Sequence, residues 1–101
     1  MAGHNGELRC SGFIASEDFE RSKVDLKRLT GLTDRQVDDR LSALEWALRR
    51  DPAVVATRVR DLNLWTAVTP VGVPPLRIYL RPRPGLPDEA ELMWIEERLP
   101  E

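Results

Sequence analysis

The hydrophobic positions along the chain have two textures, with the change near residue 52. Before it, apolar residues recur at helical spacing; after it, they alternate or cluster in short runs separated by proline and glycine. Phe13-Ile14 within Cys10 to Ala15 predicts a short first strand. Ser16 then fits a helix N-cap, since its hydroxyl can satisfy an orphan N–H, and Glu17 and Asp18 suit the positive end of the dipole. Phe19, Leu26 and Leu29 predict a helix over 17–29, ended by Thr30-Gly31. Thr33 and Gln36 form a capping box, and Val37, Leu41, Leu44 and Leu48 follow as one apolar stripe. Asp51-Pro52 closes that second helix, because a residue before proline is pushed out of the α region. The short link makes the two helices an antiparallel hairpin.

The second half predicts strands. Val54, Val55 and Val59 lead into Leu64–Thr69, which is strand-like in composition and stops at Pro70. After the turn Val71–Pro75, Leu76–Arg81 alternates apolar and polar with period two. Pro82–Pro87 reads as a breaker-rich connection, and Glu91–Ile95, apolar on both faces, as a central strand covered on both sides. The expected class is α+β: a helical hairpin packed on one face of a small curved antiparallel sheet, in the order β-α-α-β-β-β.

Composition narrows the picture. At 101 residues the chain fits a single domain over residues 10–101, preceded by a small, polar, flexible arm at 1–9. A single cysteine, Cys10, excludes an internal disulfide, and with only His4 beside it no structural zinc or other cofactor is expected. No apolar run approaches the roughly 18 residues of a membrane span, and no signal-peptide pattern opens the chain, so a cytoplasmic protein is expected.

The formal charge of −2 conceals a strong asymmetry. Residues 53–87 carry Arg58, Arg60, Arg77, Arg81 and Arg83 against Asp61 alone. Residues 88–101 carry six acids against Arg98. A basic middle and an acidic end can steer partners even when the sum is near zero.

Candidate chemistry is sparse. No Gly-rich phosphate loop and no metal-binding helix motif occurs, and a catalytic triad would depend on His4 in the arm. What stands out is the 76–81 strand, where Arg77, Tyr79 and Arg81, with Arg83 beyond, share one face opposite Leu76, Ile78 and Leu80. Such a row offers forked phosphate donors beside a stacking ring, or a solvated face with Glu or Asp partners across the strands. Trp46 lies off the apolar stripe of its helix, to be packed under the N-terminal arm or offered to a partner chain. Trp65 and Trp94 are expected in the core. Asp25–Val37 has the cadence of a helix-turn-helix, but Asp34, Asp38 and Asp39 would meet phosphate repulsion in a groove.

Phe19-Glu-Arg-Ser, the helix pair ending at Arg50-Asp51-Pro52, Leu64-Trp65, Leu76-Arg-Ile-Tyr-Leu-Arg81 and Leu92-Met-Trp-Ile95 together resemble the RelE/ParE toxin superfamily. The resemblance spans roughly residues 10–98 and rests on element order and spacing. It implies a small cytoplasmic toxin of a bacterial type II toxin–antitoxin pair, wrapped and neutralised by a cognate antitoxin, as monomer or toxin–antitoxin hetero-oligomer. The RelE-like branch cleaves mRNA on the ribosome without metal, and the ParE-like branch inhibits DNA gyrase. Arg77 resembles the arginine that stabilises charge at the scissile phosphate, Tyr79 the tyrosine of the same strand, and Arg98 the arginine after the final strand. Arg58, Arg60, Arg81, Arg83 and Trp46 complete the expected nucleic-acid or partner contacts.

The departures also carry meaning. Thr66 and Val68 stand where RNA-cleaving members have lysines, and no Tyr or His follows the final strand. Two arginines stabilise charge but do not shuttle protons at neutral pH, which leaves Tyr79 for that work. The expected activity is therefore inhibition by binding, gyrase-type, or weak mRNA cleavage. The alternatives are a ribosome-dependent endoribonuclease using Arg77, Tyr79, Arg81 and Arg98, and a non-toxic protein-binding module on the same fold.

Overall fold

The computed structural model describes residues 12–60, 62–83 and 85–98. The arm expected at 1–9, with His4, and Cys10 lie outside the described residues. The elements are β1 (Phe13–Ala15), α1 (Glu17–Thr30), α2 (Asp34–Arg50), α3 (Pro52–Val55), β2 (Ala56–Arg58), β3 (Trp65–Val68), β4 (Leu76–Arg83) and β5 (Leu86–Glu97). The class is α+β, with the helices packed on a five-stranded sheet of order β1-β5-β4-β3-β2. β2 to β5 form an antiparallel meander as expected, but β1 pairs parallel with β5, so the sheet is mixed. The parallel pair arises because β1 reaches β2, on the opposite edge, through the whole helical hairpin rather than through a tight turn.

Both long helices begin where their caps predict. Ser16 Oγ accepts from Phe19 N–H at 3.1 Å, and acids fill the first turn of α1. Gly31, at φ 77°, supplies the left-handed C-cap and donates to Lys27 C=O. The capping box closes in both directions, Gln36 N–H to Thr33 Oγ1 at 3.2 Å and Thr33 N–H to Gln36 Oε1 at 2.8 Å. Ion pairs Lys23–Asp38 and Lys27–Asp34 run between α1 and α2 in antiparallel order. The hydrogen bond and charge of Lys27 hold the Asp34 carboxyl below its ordinary range.

The core joins Phe19 and Leu26 of α1, Val37, Leu44 and Leu48 of α2, and the inward residues of the sheet, Trp65, Ala67, Leu76, Ile78, Leu80, Ala90, Leu92 and Ile95. Three expectations change. Leu29 is 84% exposed, because it sits ten residues and so roughly 80° away from Phe19 around the helix. On α2 the inward turn position belongs to Arg40, buried to 8% exposure, while Leu41 flanks the core. Trp94 is 43% exposed, not core.

Trp94 lies outside because of a β-bulge. Tyr79 pairs with Trp94 but Leu80 pairs with Leu92, which leaves Met93 as the extra residue. The bulge shifts the alternation by one, so Leu92 and Ile95 both face the core and Trp94 faces away. The run Leu92–Ile95 is thus apolar throughout without being covered on both sides.

β5 is also longer than its apolar centre. The breaker-rich segment continues the β4–β5 hairpin, with Pro82 opposite Ala90, Arg83 opposite Leu86, and Gly85 at φ 80° in the turn. Thr69 N–H donates to Leu76 C=O, so even positions of β4 face β3. Pro82 falls on that side beyond the last pair, Trp65–Leu80, where a missing N–H breaks no ladder bond.

At the α1–β5 contact, Ser16 N–H bonds Leu92 C=O where β1 stops, and α1 takes over that edge. Ser22, 3% exposed, accepts from Ile95 N–H at 3.0 Å and donates to Phe19 C=O at 2.8 Å. The β3–β4 loop is pinned by Arg40, whose Nη1 donates to Gln36 C=O and Nη2 to Val73 C=O at 2.9 Å. A Cβ on Gly72, at φ 91°, would stand 2.5 Å from Arg40 Nε.

Ser22→Ala leaves the Ile95 N–H buried without a partner and should cost about 1–3 kcal/mol in urea unfolding; a loss below about 0.5 kcal/mol would remove the latch role. Lys27→Met should return Asp34 to an ordinary carboxylate pKa in an NMR titration. A depressed folded pKa contributes stability above the unfolded pKa of about 3.9 and loses it as pH falls through the folded value. The gap in urea midpoint between wild type and Lys27→Met should therefore close on acidification; a constant gap would contradict it.

Candidate functional site

The period-two pattern of β4 buries Leu76, Ile78 and Leu80 completely and turns Arg77, Tyr79, Arg81 and Arg83 to the outer face, each half-buried. The ladder sets their neighbours. Val68 and Glu96 flank Arg77, Thr66 and Trp94 flank Tyr79, and Glu91 faces Arg81. Beyond Thr66, Thr57 of β2 extends the Tyr79 row.

The carboxylates of β5 engage this row. Arg81 Nε meets Glu91 Oε1 at 2.9 Å, and Arg83 Nη1 meets Glu89 Oε1 at 2.9 Å. Tyr79 Oη donates to Glu96 Oε2 at 3.4 Å, a long contact. The two ion pairs are two-fifths exposed on the arginine side, so each contributes at most about 1 kcal/mol to stability. Their larger effect is on the field: the basic middle and the acidic end of the chain are laid against each other. Cross-strand pairing to Glu, one of the readings open to the row, is present at Arg81 and Arg83.

Arg77 is the exception. Among the described residues no carboxylate lies within ion-pair distance of it, and its Nε is buried without a hydrogen-bond partner. Thr66 Oγ1, on the neighbouring rung of the same face, is buried and unpartnered as well. Both residues line an open depression of about 480 Å³ whose other walls include Ala47, Val54, Val55, Val68 and Pro70. A second groove, about 290 Å³, runs between α1 and β5 and is lined by Leu26, Leu29, Trp94 and Ile95.

Of the expected catalytic group, Arg77 and Tyr79 are next-but-one neighbours on one face. Arg98 follows β5 at the same end, its N–H donating to Pro75 C=O and its side chain exposed. The other expected contacts disperse. Arg58 pairs with Trp65 and so belongs to the helix-covered side, its guanidinium 5.4 Å from the Trp65 ring centroid and its Nε bonded to Leu62 C=O. Arg60 sits exposed in the turn after β2 at φ 48°. Trp46 is 63% exposed on α2, with Arg50 5.5 Å over its ring. Trp65 is core, as expected.

Sequence reasoning missed Glu96, which faces Arg77 and accepts from Tyr79, and the unpartnered Thr66 hydroxyl. The spacing Glu89, Glu91 and Glu96 was the available signal, but pairing it with 77–83 needs the bulge and the hairpin register. No histidine is among the described residues, and no group of three His, Cys, Asp or Glu among them could hold a metal ion. No helix among the described residues is long and apolar enough to cross a membrane.

The chain matches no family model, no curated protein and no solved structure. Function is thus argued from the site itself and from the residues that carry the resemblance. The arrangement can take an anionic group at Arg77, hold a phenol hydroxyl at Glu96, and present apolar surface at Val54, Val68 and Trp94.

Replacing Glu89, Glu91 and Glu96 together by glutamine should raise affinity for a single-stranded RNA oligonucleotide about tenfold or more at low salt, since it frees the cationic row. A triple variant that binds RNA no better than wild type would show that these carboxylates do not mask the face.

Proposed function

We propose that this chain is a RelE/ParE-like toxin component of a bacterial type II toxin–antitoxin pair, cytoplasmic, acting by binding a target protein and held in check by an antitoxin. The observation that carries the binding mode is the neutralisation of the Arg81 and Arg83 charges by Glu91 and Glu89. A phosphodiester backbone is gripped by several uncompensated cations, and this row offers only Arg77. Inhibition of a protein such as DNA gyrase needs no phosphate grip from the toxin, and the apolar depression beside Arg77 suits a protein contact.

A second reading, metal-free mRNA cleavage on the ribosome, draws on one contact. Glu96 holds the Tyr79 hydroxyl beside Arg77, which provides the carboxylate–phenol pair that proton transfer would require. Against it stand the contact's length of 3.4 Å and the repulsion between Glu96 and an approaching phosphate.

Induced expression decides the matter. Wild type should arrest growth and Arg77→Ala should relieve the arrest, with messages intact and supercoiling by gyrase inhibited in extracts. Unimpeded growth on wild-type induction rejects the toxin reading. Message ends that map to cuts within reading frames would replace the binding mode with cleavage.

A further inference from the structure

The outer face carries two buried polar orphans, Arg77 Nε and Thr66 Oγ1, on next-but-one rungs of the β3–β4 ladder that share one face. A buried donor left unsatisfied costs on the order of 1–3 kcal/mol, so two side by side mark a place where an acceptor belongs. Both residues line the depression of about 480 Å³ at the β3 edge, with these two atoms buried beneath its surface.

The backbone at that edge is incomplete too. The β2–β3 ladder of three pairs ends at Ala56–Ala67, and the chain is helical in α3 before the next rung. Thr69 N–H faces β4, so the N–H and C=O of Val68 face the β2 side, just where that strand has ended. The remaining walls are apolar: Val54, 76% exposed, with Val55, Val68 and Pro70.

We infer that this depression receives an extended, acidic and apolar segment of a partner protein, with one carboxylate on the Arg77 guanidinium and the Thr66 hydroxyl. Charge complementarity names the carboxylate. Arg77 is the one arginine of the outer row that makes no ion pair among the described residues, although Glu96 stands across the ladder from it, and a carboxylate accepts both from a guanidinium and from a hydroxyl. The valines and Pro70 name the apolar neighbours, and the edge of Val68 suits an extended backbone. RNA fits poorly: the neighbouring Arg81 and Arg83 are already paired with acids, and a sugar–phosphate chain gains nothing from valine walls. The inference deepens the protein-binding half of the proposed function and does not depend on toxicity.

The test is an NMR titration of the full chain with a heptapeptide alternating valine and glutamate, its valine–glutamine counterpart, and a single-stranded RNA oligonucleotide. The glutamate peptide should shift the Arg77 Nε–Hε signal and the Val68 amide saturably, and at least tenfold more tightly than the glutamine peptide. Arg77→Gln should weaken it at least tenfold. Val54→Asp, a change at an exposed position that leaves the core untouched, should do the same by charge repulsion while the spectrum stays dispersed. Equal binding of the glutamine peptide, absence of saturable shifts at these two groups, or stronger shifts of the same groups by RNA would each overturn the inference. Growth arrest with failed peptide binding would sink this inference alone; peptide binding without arrest would sink the toxin reading alone.

Discussion

A single serine hydroxyl ties α1 to the sheet. β5 lies between β4 and β1, and its bulge at Met93 leaves the Ile95 N–H pointing at the edge where β1 has ended. Ser22 Oγ takes that N–H and returns its own proton to the Phe19 carbonyl, so helix and strand are joined through groups that water cannot reach. A buried amide without a partner is costly, which ties the bulge to the placement of α1. The same bulge sends Leu92 and Ile95 inward and Trp94 outward, and it fixes which carboxylates of β5 face which residues of β4.

The electrostatics of the outer face follow from that register. Two blocks of opposite charge follow one another in the sequence, and a tight turn at Gly85 folds one directly onto the other. Pairing across a hairpin consumes charge that would otherwise act at a distance, and exposed pairs lose most of their reach within a Debye length of about 8 Å. The face that remains is nearly neutral, with one guanidinium, that of Arg77, outside any ion pair and beside apolar walls. A surface of that kind discriminates by shape and by a single ionic contact more than by long-range attraction.

The helices were legible in the sequence because their signals are local. Ser16, the Thr33–Gln36 box and Gly31 act within four residues of themselves, and each cap forms as its pattern implies. The alternation of β4 was equally readable, and it correctly placed Arg77 and Tyr79 together. What escaped was set by pairing. Trp94 looked like core because a bulge is invisible in a run of apolar residues, and Pro82 looked like a break because its harmlessness depends on where β3 ends. Arg40 stands outside the apolar stripe of its helix, and only the loop it reaches explains its burial. For the candidate site, the arginines were visible but their partners were not, since Glu89, Glu91 and Glu96 acquire meaning only through the hairpin register. Arg58, Arg60 and Trp46 share charge or chemistry with the site but stand on other surfaces.

The clamp at Arg40 has a consequence for how this chain can change over time. Its guanidinium fills the space beside Gly72 and holds the Val73 carbonyl, so the two positions constrain each other from opposite ends of the chain's middle. A side chain at position 72 would push the Arg40 guanidinium aside, and a shorter residue at 40 would leave the Val73 carbonyl without that donor. The two positions are coupled, so a substitution at either one alters the packing of the other, while the backbone at φ 91° favours glycine at 72 in its own right.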